Sequence, residues 1–129
     1  MLTQLCYASV ASAHFEPPAL QQLLEKARAN NERDGITGLL LYGNGHFVQV
    51  LEGAAAPVSA LYAKILSDKR HRQVFELYRE PVTTRDFHTW AMAYEQLADF
   101  KPDFVLDRSS ARQLVELFLE KERTLTLRR

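Results

Sequence analysis

The chain has 129 residues, 47% of them hydrophobic and 25% charged, the size and composition of one ordinary globular domain with room for a buried core. Sixteen basic and sixteen acidic residues cancel, and the pI is 6.9, so no global field draws the chain to nucleic acid or to an anionic membrane. The single Cys6 excludes an internal disulfide and a cysteine-rich metal site, and with no leader and no apolar run near the roughly 20 residues of a membrane helix, the expected location is a reducing cytoplasm.

Leu2 to Ser9 reads as a first strand, with Leu5, Tyr7 and Ser9 on one face and Cys6 and Ala8 on the other. Pro17 and Pro18 open a helix, where the first amides have no helical partner to lose. Leu20, Leu23, Leu24 and Ala27 follow at helical spacing, and the helix is expected to end near Asn30-Asn31. Ile36 to Tyr42 and His46 to Leu51 are two strands joined by Gly43-Asn44-Gly45, and Asn-Gly between apolar runs is a hairpin signal. Val58, Leu61, Tyr62 and Ile65 give a second amphipathic helix, ending before Asp68. Strands are expected again at Gln73 to Val82 and Trp90 to Gln96. Lys101 to Arg108 is a connector, and Ser110 with Gln113 makes a capping box for a last helix through about Arg123. Leu114, Leu117 and Phe118 give it an apolar stripe that could cover a sheet face or dock a partner.

The order strand, helix, hairpin, helix and two strands matches an α+β, ferredoxin-like βαββαββ sheet with two helices on one face and a C-terminal helical extension. Within it one residue is out of place. Gln49 lies in His46-Phe47-Val48-Gln49-Val50-Leu51-Glu52-Gly53, sharing a strand face with Phe47 and Leu51 while Val48 and Val50 take the other. A buried amide without partners costs roughly 1–3 kcal/mol, so a protein group or a ligand with a hydrogen-bonding edge must meet it.

Other chemistry is sparse. His14, His46, His71 and His88 fall in separate segments, which argues against a metal site. Gly43-Asn44-Gly45 joins strands and opens no helix, so it is no phosphate loop. Neither a nucleophile elbow nor a triad is visible, and no enzyme activity is expected. The remaining unusual residues are Tyr7, whose hydroxyl needs a partner if buried, Asn31, either a helix cap or a ligand contact, and Trp90 and Met92, which share a strand face. Each of Tyr7, Trp90 and Met92 alone also fits an ordinary core position. The basic segment Asp68-Lys69-Arg70-His71 alone also fits a solvated helix end.

Taken together, these residues resemble the BLUF family, blue-light sensors that use FAD. The resemblance runs from Leu2 to about Tyr94 and rests on several short motifs in the same order. They are Leu5-Cys6-Tyr7-Ala8-Ser9, Ala27-Arg28-Ala29-Asn30-Asn31, Gly35-Ile36-Thr37-Gly38-Leu39-Leu40-Leu41-Tyr42, the strand from Gly45 to Gly53 around Gln49, Asp68-Lys69-Arg70-His71, and Arg85-Asp86-Phe87-His88-Thr89-Trp90-Ala91-Met92. The resemblance implies a sensor domain over residues 1–98, with a flavin held between the two helices, and a C-terminal connector and helix over 99–129. It makes Tyr7 the light-reactive tyrosine, Gln49 its glutamine, Asn31 a flavin hydrogen-bonding group, and Trp90 and Met92 the switchable pair. Asp68, Arg70 and His71 would line the ring and its ribityl-phosphate side, with Ile36, Leu40 and Phe47 as apolar ring contacts. Ala93 departs from the family, whose members commonly carry glycine there, and could stiffen the strand after Met92.

The implied cofactor is FAD, bound non-covalently, with FMN or riboflavin possible because recognition concentrates on the ring. The implied cycle moves an electron and a proton off Tyr7 and back, leaving Gln49 rotated or tautomerised and the absorption modestly red-shifted. The signal is then expected to pass through the strand of Trp90 and Met92 to the last helix, and on to a protein partner or a homo-oligomer. Two rival readings are a flavin-binding redox protein without photosignalling and a cofactor-free ferredoxin-like interaction module.

Overall fold

A computed structural model describes residues 2–11, 17–43, 45–87, 93–96 and 108–127. In chain order the elements are β1 (Leu2–Ala11), α1 (Pro17–Asp34), β2 (Thr37–Gly43), β3 (His46–Ala54), α2 (Ala55–Leu66), β4 (His71–Val82), β5 (Ala93–Gln96) and α3 (Arg108–Leu127). The strands form one sheet in the order β4-β1-β3-β2-β5. Its first four strands pair antiparallel in the ferredoxin-like arrangement, and β5 adds parallel to the outer side of β2, Leu39 opposite Ala93.

α1 runs past Asn31 to Asp34, and glycine decides where it stops. Gly35 has φ +68°, a left-handed conformation that costs glycine little. The Gly35 N–H donates to the Glu32 carbonyl (3.4 Å) and the Ile36 N–H to the Asn31 carbonyl (2.8 Å), a Schellman closure. Asn31 therefore sits inside the last turn and is not the cap. Its side chain is 3% exposed and turned into the protein.

A second glycine sets how closely β2 approaches β3. A Cβ on Gly38 would lie 2.0 Å from the Val50 carbonyl oxygen, a backbone atom that cannot step aside. The hairpin that follows turns through Gly45, φ +76°, and pairs Gly43 with His46 as the Asn-Gly signal predicts.

Strand alternation separates two cores. Leu5, Tyr7, Leu40, Phe47 and Leu51 point to the face covered by Leu20 and Leu24 of α1 and Val58 and Tyr62 of α2. Cys6, Leu39, Leu41, Val48 and Val50 point to the opposite face, covered by Ala111, Val115 and Phe118 of α3. Each large apolar side chain buried this way contributes about 1.5–3 kcal/mol. α3 thus covers the sheet with two residues of the expected stripe, Phe118 buried and Leu114 packed beside it, but not with the third. Its inner row is Ala111, Val115 and Phe118, whereas Leu117 is 64% exposed. The helix also begins at Arg108, so Ser110 falls within its first turn instead of capping it; no proline or glycine in Arg108-Ser109-Ser110 opposes the earlier start. Among the described residues, no helix is long and apolar enough to cross a membrane.

Candidate functional site

The two helices on the Tyr7 face leave a cavity of about 260 Å³ between them. The sheet supplies its floor through Tyr7 of β1, Leu40 of β2, and Phe47 and Gln49 of β3. Leu23, Leu24, Ala27, Asn30 and Asn31 of α1 face Leu61 and Ile65 of α2 across it. Lys26, Lys64, Asp68 and Arg70 stand at its rim.

Tyr7 and Gln49 are direct cross-strand neighbours in the β1–β3 ladder. The Tyr7 hydroxyl donates to Gln49 Oε1. Gln49 is 8% exposed and Tyr7 fully buried, so the misplaced glutamine meets a protein group, as its position demanded. Burial, and secondarily the charges of Cys6, Tyr62 and Asp68, pushes the Tyr7 phenol well above its ordinary pKa. It therefore keeps its proton and acts as a donor throughout the ordinary pH range. The Tyr62 ring lies behind it, centroids 5.6 Å apart and tilted by 44°.

The rim is built by the end of α2. Ser67 Oγ donates back to the carbonyls of Ala63 (3.3 Å) and Lys64 (3.2 Å) as the helix closes. Asp68 follows at the cavity, accepting from the Arg70 backbone N–H at 2.9 Å and from Arg70 Nη2 at 2.6 Å. The Asp68–Arg70 pair is thus held in place, while Lys26 and Lys64 give the rim excess positive charge.

The residues fit a flavin. Two buried carboxamides, Asn31 and Gln49, and the Tyr7 phenol face the cavity among the apolar side chains of Leu23, Leu24, Leu40, Phe47, Leu61 and Ile65, and a carboxamide supplies both a donor and an acceptor. The isoalloxazine edge alternates carbonyls with ring nitrogens and needs both. The volume lies just under the usual range of about 300–1,000 Å³ for small-molecule sites, enough for a ring system but not a whole dinucleotide. The remainder of such a ligand would lie against the cationic rim.

Of the residues singled out in the sequence, the structure brings together Tyr7, Asn31, Leu40, Phe47, Gln49, Asp68 and Arg70. Ile36 is buried in the same core, 2% exposed, but does not line the cavity. His71 begins β4, and its side chain lies outside the described residues, as do Trp90 and Met92 altogether. Apart from Asn31, the α1 and α2 side chains were not assigned to the site from the sequence. Leu23, Leu24, Ala27, Leu61 and Ile65 carried the helical periodicity but read as core, and Lys26 and Lys64 gave no signal until the two helices were placed side by side.

Fold and site together define a small α+β domain with a cavity between its sheet and a pair of helices. The sequence matches the family described as BLUF, sensors of blue-light using FAD, over residues 2–93. The photoactivated adenylate cyclase subunit alpha of Euglena gracilis is 38% identical over 105 residues, 78% of this chain and 10% of that protein. Among solved structures, BlsA in its ground state superposes with a TM-score of 0.83 and 28% identity, covering 92% of this chain and 88% of that one. Klebsiella pneumoniae BlrP1 with FMN and cyclic diGMP gives a TM-score of 0.72 and 36% identity, over 92% of this chain and 30% of that one. The chain belongs to the BLUF family of blue-light flavin photoreceptors. It spans only about a tenth of the length of the cyclase relatives it matches.

Proposed function

We propose that this chain binds FAD non-covalently between α1 and α2 and reports blue light by rearranging the Tyr7–Gln49 hydrogen bond. The observation that carries the reading is that bond itself, a buried phenol donating to a buried amide on the cavity floor. When bound, the flavin supplies blue-light absorption and a one-electron acceptor beside Tyr7. Tyr7 holds its proton on Oη, aimed at Gln49 Oε1. Loss of an electron from the Tyr7 side chain to that acceptor acidifies the phenol, so the proton moves along the bond to Gln49 and comes back when the electron returns. Gln49 is left rotated or tautomerised, with its donor and acceptor ends differently disposed toward the cavity. Return to the dark state restores every bond, so the full cycle has no net chemistry.

Asn31 anchors the polar edge of the ring, Leu40 and Phe47 pack on its apolar part, and Asp68, Arg70 and His71 serve the ribityl-phosphate side. FAD is supported by the family description and by the cationic rim, which suits a diphosphate; the FMN in BlrP1 keeps the smaller flavin as the alternative outcome. Ile36 belongs to the core supporting this site. In this reading the chain is a sensor without catalysis of its own, located in the cytoplasm. Residues 1–98 form the sensor and 99–129 the connector and output helix. Trp90 and Met92 exchange places in response to Gln49, and the output reaches a separate protein or a second copy of the chain. Chromatography of the flavin released from purified protein tests the cofactor: FAD supports the reading, while recovery of FMN or riboflavin alone replaces it.

A further inference from the structure

The face of the sheet remote from the cavity holds a second buried polar pair on the same two strands. Gln4 and Glu52 oppose each other in the β1–β3 ladder, as do Tyr7 and Gln49, and both are fully buried. Gln4 Nε2 donates to Glu52 Oε2 at 2.8 Å and to Asp86 Oδ2 at 3.0 Å. Its Oε1 accepts from the Tyr78 hydroxyl at 2.7 Å and from Arg112 Nη1 of α3 at 2.6 Å. The amide orientation is fixed by charge: carboxylates flank its NH2 end and a guanidinium its oxygen end, and the reverse orientation would oppose all three charged partners. Glu52 and Arg112 are therefore coupled through an oriented dipole.

Glu52 is equally committed. Beyond Gln4 it accepts from Thr37 Oγ1 (3.1 Å) and from the backbone N–H groups of Asp86 (2.7 Å) and Phe87 (2.8 Å). Three residues before it on β3 stands Gln49, and three residues after Gln4 on β1 stands Tyr7. A network with its bonds already made can only lose when β1 and β3 shift relative to one another. Arg112 has somewhere to go when that happens, since its Nη2 lies 3.2 Å from Glu116 Oε1 on its own helix. Letting go of Gln4 thus leaves the guanidinium partnered.

We propose that the Gln4–Arg112 contact is a latch that docks α3 on the sheet in the dark and is weakened by light. The proposal rests on the photoreceptor reading and deepens it, naming the β1–β3 ladder as the element that both sites bias. Arg112 acts here as a positioning residue, away from the flavin cavity and partly exposed.

Amide hydrogen exchange on the full, flavin-loaded chain, in darkness and under continuous blue light, tests it, with the visible spectrum recorded in parallel. In the unaltered protein, light should speed exchange in the 111–119 segment by roughly tenfold, the equilibrium equivalent of one charge-assisted hydrogen bond. Arg112→Met should keep flavin binding and the red shift while exchanging in the dark at the illuminated rate, with no further response to light. A normal red shift without any light-dependent exchange in α3 overturns the latch and leaves the photoreceptor reading intact. So does an Arg112→Met protein that retains both dark protection and the full light response. Absence of the red shift in the unaltered protein overturns the photoreceptor reading, and the latch with it. The comparison on the unaltered protein decides the matter even if the variant does not fold.

Discussion

Tyr7 and Gln49 face one another across the β1–β3 ladder, and the buried phenol of the first donates to the amide oxygen of the second. The relationship joins fold to function, because strand register alone brings the two side chains together at the cavity floor. Replacing Tyr7 with Phe removes the only hydroxyl in this bond but preserves the ring that packs on Tyr62. Tyr7→Phe should retain flavin and lose the light-induced red shift. It should also cost about 1–2 kcal/mol in urea unfolding, since a buried amide oxygen loses a donor. A normal light response in this variant would reject the assigned mechanism.

Asn31 is positioned by the Gly35 closure of α1, which turns its side chain inward at the cavity. Asn31→Ala should weaken flavin affinity by roughly tenfold to a hundredfold, the equivalent of about 1.4–2.8 kcal/mol. Equilibrium titration with free flavin measures this directly. Unchanged affinity would mean that Asn31 serves the helix end and not the ligand.

Much of this was legible in the sequence, for physical reasons that differ from residue to residue. Gln49 could be read because one polar side chain on a doubly apolar strand violates the alternation around it. Gln4 and Glu52 obey the same logic, yet near the strand ends of a short motif they look like ordinary solvated positions; Tyr78, α3 and the 85–87 segment, all distant in sequence, supply most of their partners. The end of α1 was misjudged because Asn30-Asn31 resembles a terminus locally, whereas the left-handed residue that stops the helix is Gly35. The apolar stripe of α3 was shifted toward Leu117 because leucine is a strong hydrophobic signal and Ala111 a weak one, although Ala111 and Val115 are the residues fully buried. Cavity walls made by Leu23 and Ile65 could not be told from core, since a ring-binding site and a core use the same side chains.

Gly38 should tolerate no side chain. A Cβ there would meet the Val50 carbonyl oxygen at 2.0 Å, so Gly38→Ala must push β2 away from β3 or break the ladder between them. The expected loss is about 3 kcal/mol or more, at the upper end of overpacking costs. Gly45→Ala, where nothing lies within 4 Å but φ is +76°, should cost less, about 1 kcal/mol. Thermal or urea unfolding of the two variants checks the order, and equal losses would contradict the close-approach argument.

Alkaline pH should destabilise the fold. Burial pushes Cys6 from an ordinary 9.0 up to about 12, with Arg112 opposing, and pushes Tyr7 and Tyr78 above their ordinary 10.0. The folded chain therefore keeps protons that the unfolded chain has released. Stability is fully present below about pH 9 and falls above it, by about 1.4 kcal/mol per pH unit for each group ionised only when unfolded. Urea unfolding between about pH 8 and about pH 11 should show this decline, and Tyr7→Phe should make it shallower. A flat profile over that range would contradict the burial of these groups.

The visible absorption spectrum of purified protein before, during and after blue illumination tests the central claim most directly. The account predicts a flavin spectrum that shifts slightly to the red in light and returns unaided in the dark. A flavin spectrum that merely bleaches would contradict the Tyr7–Gln49 switch and favour redox chemistry. Protein that remains colourless after incubation with FAD would contradict the cofactor site itself, leaving only the fold.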